Sequence, residues 1–197
     1  MTDPPFDILI RSARKGDSAA IAALFRISSD GLADYIWSRM DDGSGRSLLE
    51  TGRARYEREG VAFSYQNCIV AERDGVVIGM VHCFPMEPSP EADPDPDPVL
   101  APYAALEDYG SFYISGVAML PEHRGKGIGS LLLAAAETRA RTLGLPRLSL
   151  ICFDANTAAM RLYQRLGFRA VDRRPLVPHQ ILKYRSGDAV LMVRVLD

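Results

Sequence analysis

The sequence predicts an α/β (α+β) domain in which helices flank a mixed, mostly antiparallel sheet of about six to seven strands. Two β-rich runs, NCIVAER and VVIGMVHCF, are separated by Asp74 and Gly75, which is a strong signal for an antiparallel hairpin. A third apolar run, SFYISGVAML, ends in a glycine-rich loop that leads into a helical segment. The order predicted after residue 60 is β-β-β-α-β-α-β-β, which fits a single domain over residues 1–197.

The N-terminal part of the chain predicts one strand and two helices. FDILIRSA has the character of a short strand. The segment RKGDSAAIAALFRISSDGLADYIWSRM is expected to form a helix, because it has helical spacing of the apolar residues Ile21, Leu24, Phe25 and Ile27. Either Asp17 or Ser18 is suited to cap it. A second, polar helix is predicted over SLLETGRARYEREG.

A segment rich in proline and acidic residues, PMEPSPEADPDPDPVLAPYAALEDYG at about residues 85–110, interrupts this pattern. Because proline removes backbone donors and stops helices, we expect a loop insertion without strand or helix. One interpretation is a solvated surface excursion. The other is an acidic, semi-rigid rim that attracts a cationic substrate.

The C-terminal half predicts regular α/β structure. A helix is expected over about Gly127–Leu143, ended by Gly144, and the strand RLSLICF follows it. Asp154 or Asn156 is positioned to cap the next helix, TAAMRLYQRL, which ends at Gly167. The strands FRAV and DAVLMVRVL complete the sheet.

Composition excludes several classes of function. The formal net charge of −2 provides no general field for nucleic acid or an anionic membrane, and no apolar run reaches the roughly 18 residues of a membrane span. A cytoplasmic protein is therefore expected. Cys68, Cys83 and Cys152 lie in apolar runs without CxxC spacing, so we expect buried, reduced thiols and no metal site. His82 alternates with apolar residues on its strand and is expected in the core.

The glycine-rich loop RGKGIGS, residues 124–130, is the strongest candidate for a binding site. It is not a P-loop, because Lys126 stands between glycines rather than after the last one. Its glycine spacing also fits a dinucleotide fingerprint poorly. A strand-to-helix turn of this kind directs unpaired backbone N–H groups and the positive helix end at one place, which suits a pyrophosphate. The alternative is a tight turn with solvated cations.

Two segments, VAMLPEHRGKGIGSLLLAAAETRARTLG and LSLICFDANTAAMRLYQRLGF, resemble the GCN5-related N-acetyltransferase (GNAT) superfamily. The resemblance covers about Ser111 to Phe168, and it extends more loosely to the hairpin upstream. It implies a GNAT-like sheet with splayed central strands and acetyl-CoA as cosubstrate, without a metal. Arg124, Gly127 and Gly129 fall on the family motif R/Q-x-x-G-x-G/A. The residues that the resemblance assigns to cofactor binding are Val117, Met119, Arg124, Gly125, Lys126, Gly127, Ile128, Gly129, Ser130, Asn156 and Tyr163.

The same resemblance assigns catalysis less completely. Tyr163 is implied as the proton donor to the departing thiolate, and the alternative is an aromatic ring packed between helix and sheet. The attacking amine needs a base, but SFYISGVAML offers only Tyr113 and Ser115 where many relatives have a glutamate. Glu107 and Asp108, just upstream, are the candidates for a base or for anchors of a cationic amine. Otherwise they are solvated loop acids.

The resemblance therefore implies an N-acetyltransferase that moves an acetyl group from acetyl-CoA to a primary amine in a ternary complex. The amine is expected on a small molecule or a peptide, with no nucleic acid or membrane partner. Homodimers are common in the family, which leaves a homodimer open here. Two alternatives remain: a non-catalytic CoA-binding module of the same fold, and a different nucleotide-phosphate binder that uses the same loop.

Overall fold

The computed structural model describes residues 8–40, 43–88 and 97–196. Its strands are β1 Leu9–Ser12, β2 Cys68–Arg73, β3 Val76–Pro85, β4 Phe112–Met119, β5 Arg147–Phe153, β6 Arg169–Pro175 and β7 Asp188–Val195. Its helices are α1 Ser18–Ser28, α2 Leu32–Ser38, α3 Leu48–Tyr56, α4 Ala101–Ala104, α5 Ile128–Thr142 and α6 Thr157–Arg165. Across the described residues the strands form one open sheet in the order β1-β2-β3-β4-β5-β7-β6. Only β4 and β5 are parallel among the pairings described here, so the predicted fold class is confirmed.

The chain divides into two compact units. The first consists of Met1–Cys83 and Gly116–Thr138, and the second of Phe84–Ser115 and Arg139–Asp197. In the first unit, β1, β2 and β3 pair antiparallel. Asp74 and Gly75 have positive φ angles of 51° and 78° and turn β2 into β3, which confirms the predicted hairpin. The core of this unit joins helices and strands through Ile21, Leu24, Phe25, Trp37, Tyr56, Val70 and Met80.

The long N-terminal helix predicted from spacing is wrong in its extent, because the structure divides it into α1 and α2. Asp30 and Gly31 have φ angles of 49° and 99°, and this left-handed backbone ends one helix and begins the next. Asp17 stands at the N-cap of α1 but makes no capping bond there. Its carboxylate instead accepts hydrogen bonds from the Arg11 guanidinium and the Arg14 backbone.

In the second unit, β7 lies between β5 and β6 and pairs antiparallel with both. The parallel ladder of β4 and β5 joins Phe112 to Leu148 and continues to the pair Ile114 and Leu150. Splaying of the two strands beyond this ladder stays a prediction. At the start of the ladder the hydroxyls of Ser111 and Ser149 are 2.6 Å apart and share a hydrogen bond.

The insertion is not entirely loop, which corrects the sequence-based expectation. Residues 89–96, its proline-rich and acidic centre, lie outside the described residues. The part that follows forms a turn and the short helix α4. Pro102 stands in the first turn of α4, where its missing N–H leaves no bond unmade. Val99 and Leu106 are buried, and Leu106 packs with Leu191 in the core of the second unit.

All three cysteines are buried free thiols, as predicted. His82 is also buried, and its Nε2 lies 3.0 Å from the Ala62 carbonyl oxygen. The rings of Phe25, Tyr56 and Phe63 surround it at 4.9 to 6.0 Å between centroids. The prediction of a core histidine is therefore confirmed. No helix in the described part of the chain is both long and apolar enough to cross a membrane.

Candidate functional site

The glycine-rich loop is a short connection between β4 and α5. A 3-10 turn over Pro121–His123 follows the strand, and the chain then passes through the loop into the helix. Gly125 and Gly127 have φ angles of 74° and 79°, a conformation that L side chains rarely adopt. Gly129 has an ordinary φ, so its lack of a side chain is not required by its backbone.

The space beside these glycines is open. A Cβ built on Gly125, Gly127 or Gly129 would meet no other atom within 4 Å. The N–H groups of Ser130 and Leu131 donate to the Gly127 carbonyl, so the N–H groups that precede them are the ones that the start of α5 offers to a ligand. The helix dipole places a partial positive charge at the same end. Such a surface accepts a phosphate group and brings its oxygens close to the backbone. These glycines therefore fit the pyrophosphate of a coenzyme A derivative.

The two cations of the loop are held by backbone carbonyls. Arg124 Nε donates to the Met119 carbonyl oxygen at 3.2 Å, and Lys126 Nζ donates to the Glu122 carbonyl oxygen at 2.9 Å. A carbonyl dipole fixes the position of a cation without cancelling its charge. Because both residues are exposed, their charge adds to that of the helix end.

Strand β4 approaches α1 closely at Gly116. A Cβ at this position would lie 2.7 Å from the Ser28 Oγ and 3.2 Å from the Phe25 ring. A glycine inside an apolar strand is typical of a bulge or of a close approach by another segment, and at Gly116 the structure shows a close approach. Further along β4, Val117 is half-buried, and the Met119 side chain packs over Gly79. The Met119 carbonyl already accepts one hydrogen bond, from Arg124.

Helix α6 carries the two remaining residues predicted to bind the cofactor. Asn156 is the N-cap, and its Oδ1 accepts a hydrogen bond from the Ala159 backbone at 3.2 Å. Tyr163 is half-buried, and its ring meets the Phe168 ring edge-on at 5.8 Å between centroids. Burial, with a smaller contribution from Cys152, raises the pKa of the Tyr163 hydroxyl well above its usual value. The hydroxyl therefore keeps its proton at neutral pH.

The two candidate bases have different surroundings. Asp108 forms a two-point ion pair with Arg147, with both N–O distances at 2.8 Å, and the pair raises the pKa of the guanidinium. Glu107 is exposed and accepts a hydrogen bond from the Tyr109 hydroxyl at 2.9 Å. Asp108 is thus engaged in holding two segments of the second unit together, whereas Glu107 faces solvent. Sequence reasoning missed Arg147, because nothing in the local pattern marks a partner 39 residues away.

Tyr113 stands on β4, the strand in which the sequence offers no carboxylate or histidine as a base. Burial raises the pKa of its hydroxyl, and the nearby charge of Glu107 and the Tyr103 hydroxyl add to the effect. A phenol with a raised pKa is a poor base at neutral pH. Tyr103 has a buried hydroxyl without a hydrogen-bond partner among the described residues, and burial raises its pKa to about 12.

Comparison with known proteins also indicates an acetyltransferase fold. The model of the Acetyltransferase (GNAT) family matches residues 33–168. A mycothiol acetyltransferase from Parafrankia sp. is 32% identical over 169 residues, which cover 84% of this chain and 47% of that protein. The match thus includes most of this chain but only about half the length of the mycothiol acetyltransferase.

Solved structures share the fold at low sequence identity. An N-acetyltransferase from Staphylococcus aureus Mu50 superimposes with a TM-score of 0.66 at 21% identity, covering 97% of this chain and 99% of that one. A putative acetyltransferase from Salmonella typhimurium, solved with its cofactor acetyl-CoA, has a TM-score of 0.61 at 23% identity. That match covers 97% of this chain and 95% of that chain.

Proposed function

Because the chain belongs to the GNAT acetyltransferase family, we propose that it transfers an acetyl group from acetyl-CoA to a primary amine by direct attack in a ternary complex. Membership confirms the family and the transferase class predicted from the sequence. One observation carries the proposal furthest: open space lies beside Gly125, Gly127 and Gly129 at the positive end of α5. A turn that served only to connect strand and helix would not need a glycine at Gly129, whose φ is ordinary.

Each proposed role rests on a feature of this chain. The N–H groups of the loop and of the first turn of α5 would hold the pyrophosphate, with charge added by Arg124 and Lys126. Acetyl-CoA supplies the reactive thioester when it is bound. A backbone N–H on β4, at or near Val117, is suited to donate to the acetyl oxygen, where negative charge develops. Asn156 is proposed as a further contact to the cofactor.

The proton transfers are assigned to side chains of the second unit. Tyr163 is proposed as the donor to the departing thiolate, because its hydroxyl carries a proton at neutral pH; burial, which raises the pKa of this hydroxyl, also makes it a weaker acid. Glu107 is proposed as the base for the amine, acting directly or through water. Asp108 is the weaker candidate, because its carboxylate is already paired with Arg147. A cytoplasmic location and a homodimer stay predictions.

One observation favours a second function, a non-catalytic CoA-binding module. Strand β4, Phe112–Met119, contains no acidic residue and no histidine. A family member that had lost its base could retain the cofactor site without the chemistry. The two functions differ in turnover and not in cofactor affinity.

The decisive experiment combines binding with turnover. Calorimetric titrations with acetyl-CoA, NAD and ATP would be followed by a screen of primary amines that detects released thiol. Tyr163→Phe should bind acetyl-CoA as the wild type does and lose most of the turnover. Tyr65→Phe is the matched control, because Tyr65 is half-buried like Tyr163 and its hydroxyl donates to Glu59 in an exposed hydrogen bond. Binding without turnover on any amine would support the module, and absence of acetyl-CoA binding would refute both functions.

A further inference from the structure

Helix α3 contains an arginine whose head group is partly buried without a carboxylate. Arg55 Nε is inaccessible to solvent and has no hydrogen-bond acceptor in the described part of the chain. Its Nη1 donates to the Met40 sulfur at 3.3 Å, which is a weak acceptor, and its guanidinium lies 4.2 Å from the centroid of the Phe63 ring. Burial lowers the pKa of Arg55. A buried cation is ordinarily paired with an anion, so this arrangement is unusual.

A second polar atom without a partner lies beside it. The Tyr56 hydroxyl is buried and has no hydrogen-bond partner among the described residues. It is close enough to Arg55 for the two groups to interact electrostatically. The Arg55 Nε–H and the Tyr56 O–H therefore each lack an acceptor oxygen.

Arg58, just after the end of α3, is a second cation close to Arg55. Arg58 Nε donates to the backbone carbonyl of Arg55 at 2.9 Å, and the charge of Arg58 contributes to the lowered pKa of Arg55. Two cations next to an unsatisfied hydroxyl form a locally positive site. The planar fork of a guanidinium matches the two oxygens of a carboxylate or a phosphate.

The Tyr56 ring, next to Arg55 in the sequence, is linked to β4 through the Phe25 ring. The Phe25 ring is 5.7 Å from the Tyr56 ring, centroid to centroid, and the same ring would be 3.2 Å from a Cβ on Gly116. Gly116 precedes the backbone groups to which we assign the acetyl oxygen. A ligand held at Arg55 is therefore near the strand on which the proposed transfer takes place.

We propose that Arg55, with Tyr56 and Arg58, binds an anionic group of the acceptor, either a carboxylate or a phosphate monoester. The inference rests on the proposed acetyl transfer and narrows it, because the acceptor is then a primary amine that also carries a negative charge. An amino acid meets this requirement, and it also has the cationic amine that an acidic rim would attract.

The first test measures anion binding without turnover. Side-chain Nε–H signals of arginine would be followed by NMR in wild type while inorganic phosphate or acetate is added at constant ionic strength. The Arg55 signal, identified by its loss in Arg55→Lys, should shift and saturate. The signal of Arg53 should not, because Arg53 is exposed on the same helix and paired with Glu57 at 2.7 Å.

An Arg55 signal that moves no more than the Arg53 signal would overturn the proposal. It would mean that water already satisfies the guanidinium. Since this measurement uses the wild type and needs neither acetyl-CoA nor turnover, it remains informative if the proposed acetyl transfer fails.

The second test uses matched amines. Alanine with alaninamide tests the carboxylate, and phosphoethanolamine with ethanolamine tests the phosphate. In the wild type, kcat/KM should favour the charged member by about tenfold or more, the ratio expected for one charge-assisted hydrogen bond. Arg55→Lys should lose that preference and keep its rate on the neutral member, whereas Arg53→Lys should behave as the wild type. Equal loss on both members would show a structural role for Arg55 and refute the proposal.

Discussion

Replacing Gly129 with alanine should raise the stability of the protein and weaken its binding of acetyl-CoA. Gly129 lies in the first turn of α5 with an ordinary φ, and its Cβ would meet no atom within 4 Å. Alanine is therefore expected to stabilise the helix by up to about 1 kcal/mol, which corresponds to an increase in Tm of up to about 4 °C for a chain of this length.

The same methyl group would occupy the space proposed for the phosphates. Loss of one charge-assisted hydrogen bond costs about 1.5–3 kcal/mol, so the Kd for acetyl-CoA should rise by roughly 10- to 150-fold. A mutation that stabilises the free protein and weakens the ligand cannot be explained by partial unfolding.

Calorimetric titration and thermal unfolding of the same preparations provide the assay. Gly16→Ala is the matched control, because its Cβ also meets nothing within 4 Å and Gly16 lies in a separate 3-10 turn, Lys15–Asp17. Its acetyl-CoA affinity should equal that of the wild type. If Gly129→Ala binds acetyl-CoA as tightly as the wild type, the loop does not hold the cofactor in the way proposed.

Four further substitutions separate structural from functional roles. Asp108→Asn should lower the free energy of unfolding by about 1 kcal/mol, because it removes a part-exposed ion pair with Arg147. Glu107→Gln should leave the free energy of unfolding unchanged and reduce kcat. If denaturation and kinetics gave the reverse pattern, Asp108 would be the base and Glu107 the structural residue. Tyr103→Phe should raise the stability by about 1 kcal/mol, because it removes a buried hydroxyl without a partner, and a lower Tm would show that water satisfies this group. Arg11→Met should destabilise the protein by about 1–3 kcal/mol at pH 7, as it breaks the hydrogen bonds to Asp17 and Glu72. Since Arg11 lowers the pKa of Asp17, the part of this stabilisation that comes from Asp17 is present above pH about 4 and is lost as the pH falls through the lowered pKa, so the denaturation curves of variant and wild type should draw closer below pH about 4.

Much of the fold followed from local signals. The pair Asp74 and Gly75 predicted a hairpin because few residues accept positive φ at both positions, and the structure has that turn. The strand RLSLICF was predicted with the bounds that β5 has, since it is a short apolar run ended by turn residues. These elements can be predicted because the order of apolar and polar residues within each one reflects which of its side chains are buried.

The errors arose where a local signal had two meanings. The dipeptide of Asp30 and Gly31 lies inside an apolar helical spacing, and only the positive φ angles show that the chain turns there. Prolines in the insertion were taken to exclude a helix, yet Pro102 falls in a first helical turn, where it is tolerated. Burial of Leu106 against Leu191 is a contact between distant segments, and the sequence alone does not reveal it.

The candidate site divides in the same way. The glycine-rich loop was found from the sequence because its chemistry lies in consecutive residues. Arg55 was not found, because an arginine in the polar helix GRARYEREG looks like any solvated cation until its burial is known. The pairing of Asp108 with Arg147 likewise depends on where two strands begin in space.

The cap that Asn156 provides for α6 has a consequence for the polarity of any ligand. One end of the amide, Oδ1, is committed to the Ala159 backbone, so the end that remains for a ligand is the NH₂ group. Because one of the two lone pairs of Oδ1 is already used and both N–H donors of the amide are available, the residue favours carbonyl or phosphate oxygens over N–H groups. In this way a bond that the helix needs in order to begin also determines the kind of atom that can approach it.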